Sequence, residues 1–273
     1  MRVTSLSLSH FRNYERALIE PDAGVTVFTG PNAQGKTTLL EAVYMLTGAK
    51  SFRTYYDKEL IAFEKDEAAV RGEYFASERE QRMEILLRRG RTRTMKRNGV
   101  KLSAGETEQC LKAILFSPDD LAMIRGAASL RRRMLDAAIT QLRPGYGALI
   151  AEYRRLQENK TRILRDSEEK PSLLSMWEDF SLRMAHIGAQ IIRYRAYYCR
   201  KLLKAAAAVY ADIAPHEVLS GVYKTVSSVT DPFADARTIE KQLIDHVFSH
   251  KTAEIAAKSC LSGPHKDDLE LLL

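Results

Sequence analysis

The stretch Gly30-Pro31-Asn32-Ala33-Gln34-Gly35-Lys36-Thr37 constrains this chain more than any other. It fits G-x-x-x-x-G-K-[ST], the phosphate-binding loop of nucleoside triphosphatases, and lies between a β-branched apolar run at residues 25–28 and a helix-forming run at residues 38–43. Strand, loop and helix are the context that the motif requires. Its glycines let the backbone wrap until successive N–H groups converge on a phosphate at a helix N-terminus. In such a loop Lys36 reaches the β- and γ-phosphates and the Thr37 hydroxyl ligates Mg²⁺. These eight residues and Thr38 are therefore the candidate nucleotide-binding set, with ATP and Mg²⁺ as the expected cofactors.

At 273 residues, with 45% hydrophobic and 28% charged side chains, the chain has material for one large domain or two modest ones. No apolar run is long enough to span a bilayer, and the first residues lack the apolar region of a signal peptide, which leaves a cytoplasmic address as the expectation and no membrane partner. Cys110, Cys199 and Cys260 are far apart and in no C-x-x-C pattern, so they read as small buried hydrophobes rather than a disulfide or zinc framework. The net charge of +7 is concentrated. Between Arg79 and Lys101 nine cations face only Glu80 and Glu84, so this window alone carries the whole excess.

Taken in order, Leu6 and Leu8 alternate with Ser5, Ser7 and Ser9, which predicts a first strand over residues 3–9 with one buried face. His10-Phe11-Arg12-Asn13-Tyr14 reads as a loop, and residues 25–28 as a short strand buried on both faces. Leu39, Leu40, Val43, Tyr44 and Leu46 form the apolar side of a first helix that Gly48 ends. Residues 69–75 and 83–87 read as strands, and Asn98-Gly99 is the strongest two-residue hairpin signal in the chain. The dense charges are thus expected along a β-ribbon. Alternate residues of a ribbon share a face, so Arg89, Arg91 and Arg93 point one way and, with Arg97, are candidate contacts to nucleic-acid phosphates. The cluster Arg131-Arg132-Arg133 is a second candidate, through Arg131 and Arg132. Residues 114–116 predict one more strand, closed by Ser117-Pro118-Asp119-Asp120.

From about Leu121 the chain turns helical. Tyr146, Leu149, Tyr153, Leu156 and Ile163 fall on one stripe, interrupted at Lys160. Leu173, Trp177, Phe180, Met184, Ile187, Ile191, Tyr194, Tyr198 and Leu202 then recur at steps of three and four, predicting a long helix capped by Ser172 or Ser175 and paired with the preceding one in an antiparallel hairpin. Residues 218–229 suggest strand, residues 239–248 helix, and residues 269–273 a strand after the turn at Gly263-Pro264-His265.

The segments Leu8-Ser9-His10-Phe11-Arg12-Asn13-Tyr14, Gly48-Ala49-Lys50-Ser51-Phe52-Arg53, Ser117-Pro118-Asp119-Asp120-Leu121, Arg132-Arg133-Met134-Leu135-Asp136 and Gly263-Pro264-His265-Lys266-Asp267-Asp268-Leu269, together with the phosphate loop, resemble the RecF family of bacterial recombination mediators, in the same order from end to end. The resemblance implies an α/β P-loop NTPase of the SMC and ABC head type with an inserted helical arm. It implies an ATP-binding lobe with the basic ribbon at 1–120, the arm at 121–250 and a return to the head at 251–273. It further implies ATP-dependent dimerisation, binding to gapped or junction duplex DNA, and work with RecO and RecR in recombinase loading during replication, repair and the SOS response to DNA damage. Arg12 and Asn13 then touch the nucleotide, and Asp119 and Asp120 lie near the ABC-type Q-loop position, where an acidic cap on the next helix is the simpler role for Asp120.

Such heads also need an apolar strand ending in Asp-Glu or Asp-Asp and a Ser-Gly-Gly-Gln-like signature. RecF-like chains carry both after the Gly-Pro-His turn. Here five residues follow Asp268, so the chain is expected to lack the C-terminal part of the head, to bind ATP and to hydrolyse it poorly, with no catalytic residue assigned. The early sequence alone also fits a P-loop kinase or metabolic NTPase, and the arm alone fits a non-catalytic interaction fragment.

Overall fold

A computed structural model of the chain describes residues 1–103, 110–226 and 228–273. It divides into two compact units, Met1–Leu115 and Phe116–Leu273.

The first unit is built on an antiparallel sheet. Strands β1 (Arg2–Phe11), β2 (Tyr14–Ile19), β3 (Glu67–Ala76), β4 (Arg79–Arg88), β5 (Thr94–Arg97) and β6 (Val100–Lys101) lie in the order β2-β1-β3-β4-β5-β6. Leu6 and Leu8 are buried on the face that the alternation selects, opposite Gly72 and Val70 of β3 and then Met83 and Ile85 of β4. Helix α1 (Lys36–Met45) packs on this face. Gly72 makes the approach possible, since a Cβ there would lie 2.2 Å from Leu46 Cδ1. The hairpin at Asn98-Gly99 forms as expected, with both residues at positive φ, and Asn98 Oδ1 accepts from the Arg82 N–H at 2.8 Å.

Several expectations change. Residues 11–14 are a tight hairpin, with Phe11 opposite Tyr14, so β2 begins where a loop was expected. Residues 25–28 and 114–116 form no strand. Val25, Val27, Ile114 and Phe116 are 87, 73, 100 and 76% exposed, because an apolar run becomes a strand only beside a ladder partner, and none stands there among the described residues. On α1, Leu40 is exposed, while Ala42, Met45 and the carboxylate Glu41 are buried.

The second unit is mainly helical: α2 (Ala122–Arg125), α3 (Ala128–Leu142), α4 (Pro144–Asp166), α5 (Trp177–Ile213), α6 (Ala236–Ser249) and α7 (Lys251–Ala257). Helices α4 and α5 pair antiparallel, as the two stripes predict. Tyr146 meets Tyr194 edge-on at 5.4 Å, Tyr153 packs at Gly188, and Lys160 lies over the Trp177 ring at 4.8 Å. The seam residues Trp177, Met184, Ile187 and Ile191 are buried. No serine caps α5; a 3₁₀ turn, Pro171–Met176, precedes it, and the Ser175 hydroxyl donates to the Ser172 carbonyl instead. Asp235 caps α6, accepting from the N–H groups of Arg237 and Thr238. Residues 251–273, expected as a separate return segment, complete this unit: β8 (Asp268–Leu272) pairs antiparallel with β7 (Ser220–Lys224). The three cysteines are buried and form no disulfide, and burial pushes the Cys199 thiol up to about 12.

Lys160, which interrupts the α4 stripe in sequence, is only 1% exposed. Its Nζ lies 2.6 Å from the buried Glu254 Oε2, and that carboxylate also accepts from Trp177 Nε1 at 3.1 Å and the Leu261 N–H at 2.8 Å. One carboxylate thereby joins α4, α5, α7 and the segment leading to the Gly-Pro-His turn. In that turn His265 Nε2 meets the Cys260 carbonyl at 3.1 Å and Nδ1 meets the Tyr153 hydroxyl at 2.9 Å. The carbonyl can only accept, so Nε2 carries the proton and Nδ1 accepts from Tyr153. Burial holds this imidazole at a pKa of about 4.

Removing one partner of a buried pair strands the other charge, so Glu254→Gln is expected to cost about 3–5 kcal/mol in urea unfolding, and Lys160→Met with Glu254→Gln to cost less than Glu254→Gln alone. His265 is depressed below its unfolded pKa, so it contributes stability that is lost as pH falls from about 6.5 through about 4. The stability advantage of wild type over His265→Gln is expected to shrink by about 3 kcal/mol across that window, read from urea midpoints at each pH.

Candidate nucleotide site

The phosphate loop is held by backbone geometry and by one lysine. Gly35 has φ +97° and opens α1 from the left-handed region; Gly30 and Ala33 are also at positive φ. Lys36 folds back across the loop, its Nζ donating to the carbonyls of Gly30 and Pro31 at 2.7 Å each. The first turn of α1 contains no acidic side chain, and residues 30–34 and Thr37 are exposed, while Thr38 is buried. This is a cradle of unshielded N–H groups with a cation across its mouth, which fits an anionic phosphate chain.

The β1–β2 hairpin presses on this loop. A Cβ on Gly35 would lie 2.7 Å from Asn13 Nδ2 and 2.8 Å from Tyr14 Cε2, so Asn13 stands at the candidate site. Arg12, at φ +56°, is turned elsewhere. Its N–H bonds the Leu60 carbonyl at 2.8 Å, and its guanidinium grips Glu41 through Nε at 3.0 Å and Nη2 at 2.7 Å, with Nη1 on the Glu59 carbonyl at 3.1 Å. Glu41 is fully buried and accepts also from the Ser51 hydroxyl, with Arg53 Nη1 at 3.5 Å. Sequence reasoning passed over Glu41 because it stands among the apolar residues of α1. The signal was a carboxylate one position beyond Leu40, on the side that faces the sheet.

The expected basic face does not form. Strand β4 ends at Arg88, and the chain turns at Gly90, so residues 89–93 do not alternate on a ribbon. Arg93 points inward: Nε and Nη2 hold Asp57 at 2.9 and 2.5 Å, and Nη1 holds the Ala49 carbonyl at 3.1 Å. Arg97 pairs opposite the buried Met83, on the core side. Burial pushes the Tyr74 hydroxyl up to about 12, and Arg97 partly opposes that shift. Arg89 and Arg91 remain exposed, Arg89 donating to the Lys65 carbonyl at 2.7 Å.

Arg131 and Arg132 of the second cluster are also turned inward, while Arg133 is exposed. Arg131 holds Asp268 through two bonds of 2.7 and 2.8 Å and the carbonyls of Met123 and Gly126 at 2.8 and 2.9 Å, while Arg132 donates to the Asp267 carbonyl at 2.6 Å. Asp120 closes a local turn, accepting from the Ser117 N–H at 2.6 Å and hydroxyl at 2.9 Å; the Asp119 side chain lies outside the described residues.

The sequence matches the family model for the AAA domain over residues 5–170. It is 35% identical over 276 residues to the DNA replication and repair protein RecF of Lactobacillus johnsonii, covering 100% of this chain and 74% of the relative. The chain belongs to the RecF family. The RecF of a Synechococcus strain is 33% identical over 278 residues, covering 99% of this chain and 72% of that one. Solved structures of the recombination mediator RecF with ATPrS and with ATP superpose with TM-scores of 0.93 and 0.88, each at 29% identity and covering 99% of this chain and 73% of the other. The α/β fold with its helical insertion is thus the RecF fold.

In the phosphate loop Gly35 is sensitive to a side chain, since it combines positive φ with the contact of Asn13 and Tyr14. Gly35→Ala is expected to lower stability by about 1–3 kcal/mol in urea unfolding, whereas Gly24→Ala, where a Cβ meets nothing within 4 Å, is expected to leave the midpoint unchanged.

Proposed function

We propose that this chain is an ATP-binding and DNA-binding protein of recombinational gap repair and replication restart. The phosphate loop carries the reading: Lys36 bonds only loop carbonyls, beside a left-handed Gly35 and an α1 first turn without acid. An ammonium held this way exchanges two carbonyls for phosphate oxygens and leaves no buried group unpaired. When bound, ATP and Mg²⁺ bring the charge that Lys36 and Thr37 are placed to meet. Neither residue is a base for water, so the reading is of binding with slow turnover.

The DNA part rests on the relatives, whose names are those of replication and repair proteins and of a recombination mediator in the RecFOR pathway. On that relationship the DNA partner is gapped or junction duplex, the protein partners are RecO and RecR in recombinase loading, ATP favours a homodimer, and the work is cytoplasmic. No helix among the described residues is long and apolar enough to cross a membrane. For phosphate contact we assign Arg89 and Arg91, which stay exposed, in place of Arg93, Arg97, Arg131 and Arg132, whose positions are internal.

The test is a pair of titrations on wild type, Lys36→Ala and the double variant Arg89→Glu with Arg91→Glu: a fluorescent ATP analogue, then duplex DNA with a single-strand gap across a salt series. Lys36→Ala is expected to lose nucleotide binding. The double variant is expected to keep it while the slope of log K against log salt becomes shallower by about 2 units, one for each phosphate contact removed. An unchanged slope would reject the two arginines, and a wild type that binds neither ligand would reject the function.

A further inference from the structure

An aromatic ring stands exposed on a tight turn beside the two arginines assigned to phosphate contact. The turn spans residues 62–65, closed by the Lys65 N–H on the Ala62 carbonyl at 3.2 Å, with Glu64 at φ +60°. It is tied down on both sides: the Ala62 N–H bonds the His10 carbonyl at 2.8 Å, next to the bridge between Ile61 and Phe11, and β3 begins at Glu67. Phe63 is nevertheless 87% exposed, so its ring is open to solvent. Arg89 lies against the same turn. Its N–H bonds the Asp66 carbonyl at 3.0 Å and its Nε the Lys65 carbonyl at 2.7 Å, which fixes the guanidinium and leaves Nη1 and Nη2 for an anion. Arg91, exposed, follows after Gly90, and Arg93 closes the far end by gripping Asp57. Residues 57–66 and 89–93 thus run side by side in opposite directions, pinned at both ends.

We propose that Phe63 stacks on an unpaired base while Arg89 and Arg91 hold the adjoining phosphates, so that this surface selects single-stranded DNA next to a duplex. The reason lies in what each group can satisfy. A phenyl ring has no hydrogen-bond donor for a phosphate, and the exposed carboxylates Glu64 and Asp66 on the same stretch repel one, so phosphate contact falls to the arginines. What the ring offers is a π face. A base inside a duplex has both faces covered by its neighbours, whereas an unpaired base has a face to give, and every base has one, so the contact suits a gap in any sequence. Because the turn is tied to β1 and leads directly into β3, the ring is presented at little ordering cost. This inference rests on the DNA-binding reading above and names the part of the DNA that the Arg89 surface takes.

The test compares a closed duplex, the same duplex with a single-strand gap, and an oligothymidine strand, each titrated with ATP present against wild type and variants of Phe63. Phe63→Ala is expected to weaken binding of the gapped duplex and the oligothymidine about tenfold, the worth of one base–aromatic stack, and to leave the closed duplex unchanged. The slope of log K against log salt is expected to stay that of wild type on every DNA, since no phosphate contact is lost. Phe63→Leu is expected to behave as Phe63→Ala, and Phe63→Trp to restore affinity, its indole emission, read over the constant background of buried Trp177, being quenched by the gapped duplex and not by the closed one. An equal loss on closed and gapped duplex, or full affinity in Phe63→Leu, marks a contact without stacking and overturns the proposal. So does unchanged DNA affinity in Phe63→Ala with a smaller mass in light scattering, which makes the ring a contact between copies of this chain. Binding of gapped duplex by wild type with no effect of Phe63→Ala on any DNA sinks this inference and leaves the DNA reading standing; a wild type that binds no DNA sinks the reading beneath it.

Discussion

The pairing of buried charge shapes both units of this chain. In the second unit Arg195, 4% exposed, holds Asp136 of α3 through Nε and Nη2, donates to the Pro264 carbonyl at 2.7 Å, and lies 3.9 Å from Asp267. Tyr146 of α4 bonds the same Asp136 at 2.6 Å, and Tyr223 of β7 donates to Asp267. One guanidinium thus ties α3, α4, α5, β7 and the Gly-Pro-His turn together. Asp267 retains one unpartnered oxygen, Oδ1, and burial outweighs its cationic neighbours, lifting its pKa to about 6. Such clusters are expensive to desolvate and costly to break, so they define one arrangement of the elements around them more sharply than apolar packing does.

The same rule operates in the first unit, where Glu41 and Asp57 draw in Arg12 and Arg93. Its consequence for function is that charge density along the chain is a poor guide to the surface field. The window at residues 79–101 carries seven uncompensated charges in sequence, yet Arg93 and Arg97 turn inward, and Glu84 on β4 takes Arg71 at 2.7 Å. What remains at the Gly90 turn for a polyanion is the exposed pair Arg89 and Arg91, one on either side of the glycine. At the phosphate loop the economy is reversed: the cation is held by carbonyls alone and the helix start is free of acid, which is a surface prepared for an anion.

Much of this was legible beforehand, for reasons that are local. A phosphate loop is recognisable because its glycines and lysine are adjacent in sequence. The α5 seam is recognisable because steps of three and four report one helix face over many turns, and Asn98-Gly99 because two residues suffice for a primed turn. The misreadings share the opposite property. Residues 25–28 and 114–116 have strand composition, but a strand needs a neighbour. Lys160 read as a break in the α4 stripe because its partner, Glu254, is far along the chain, and Arg131 read as a surface cation because Asp268 is farther still.

The sequence by itself determined the nucleotide cradle, the helical pairing of α4 with α5, and membership of the RecF family, since each is written in short-range spacing or in ordered motifs. Only the tertiary structure decided which charges face solvent and which are held inside. That outcome depends on carboxylates tens or hundreds of residues away, and on the cost of leaving any of them dry and unpaired.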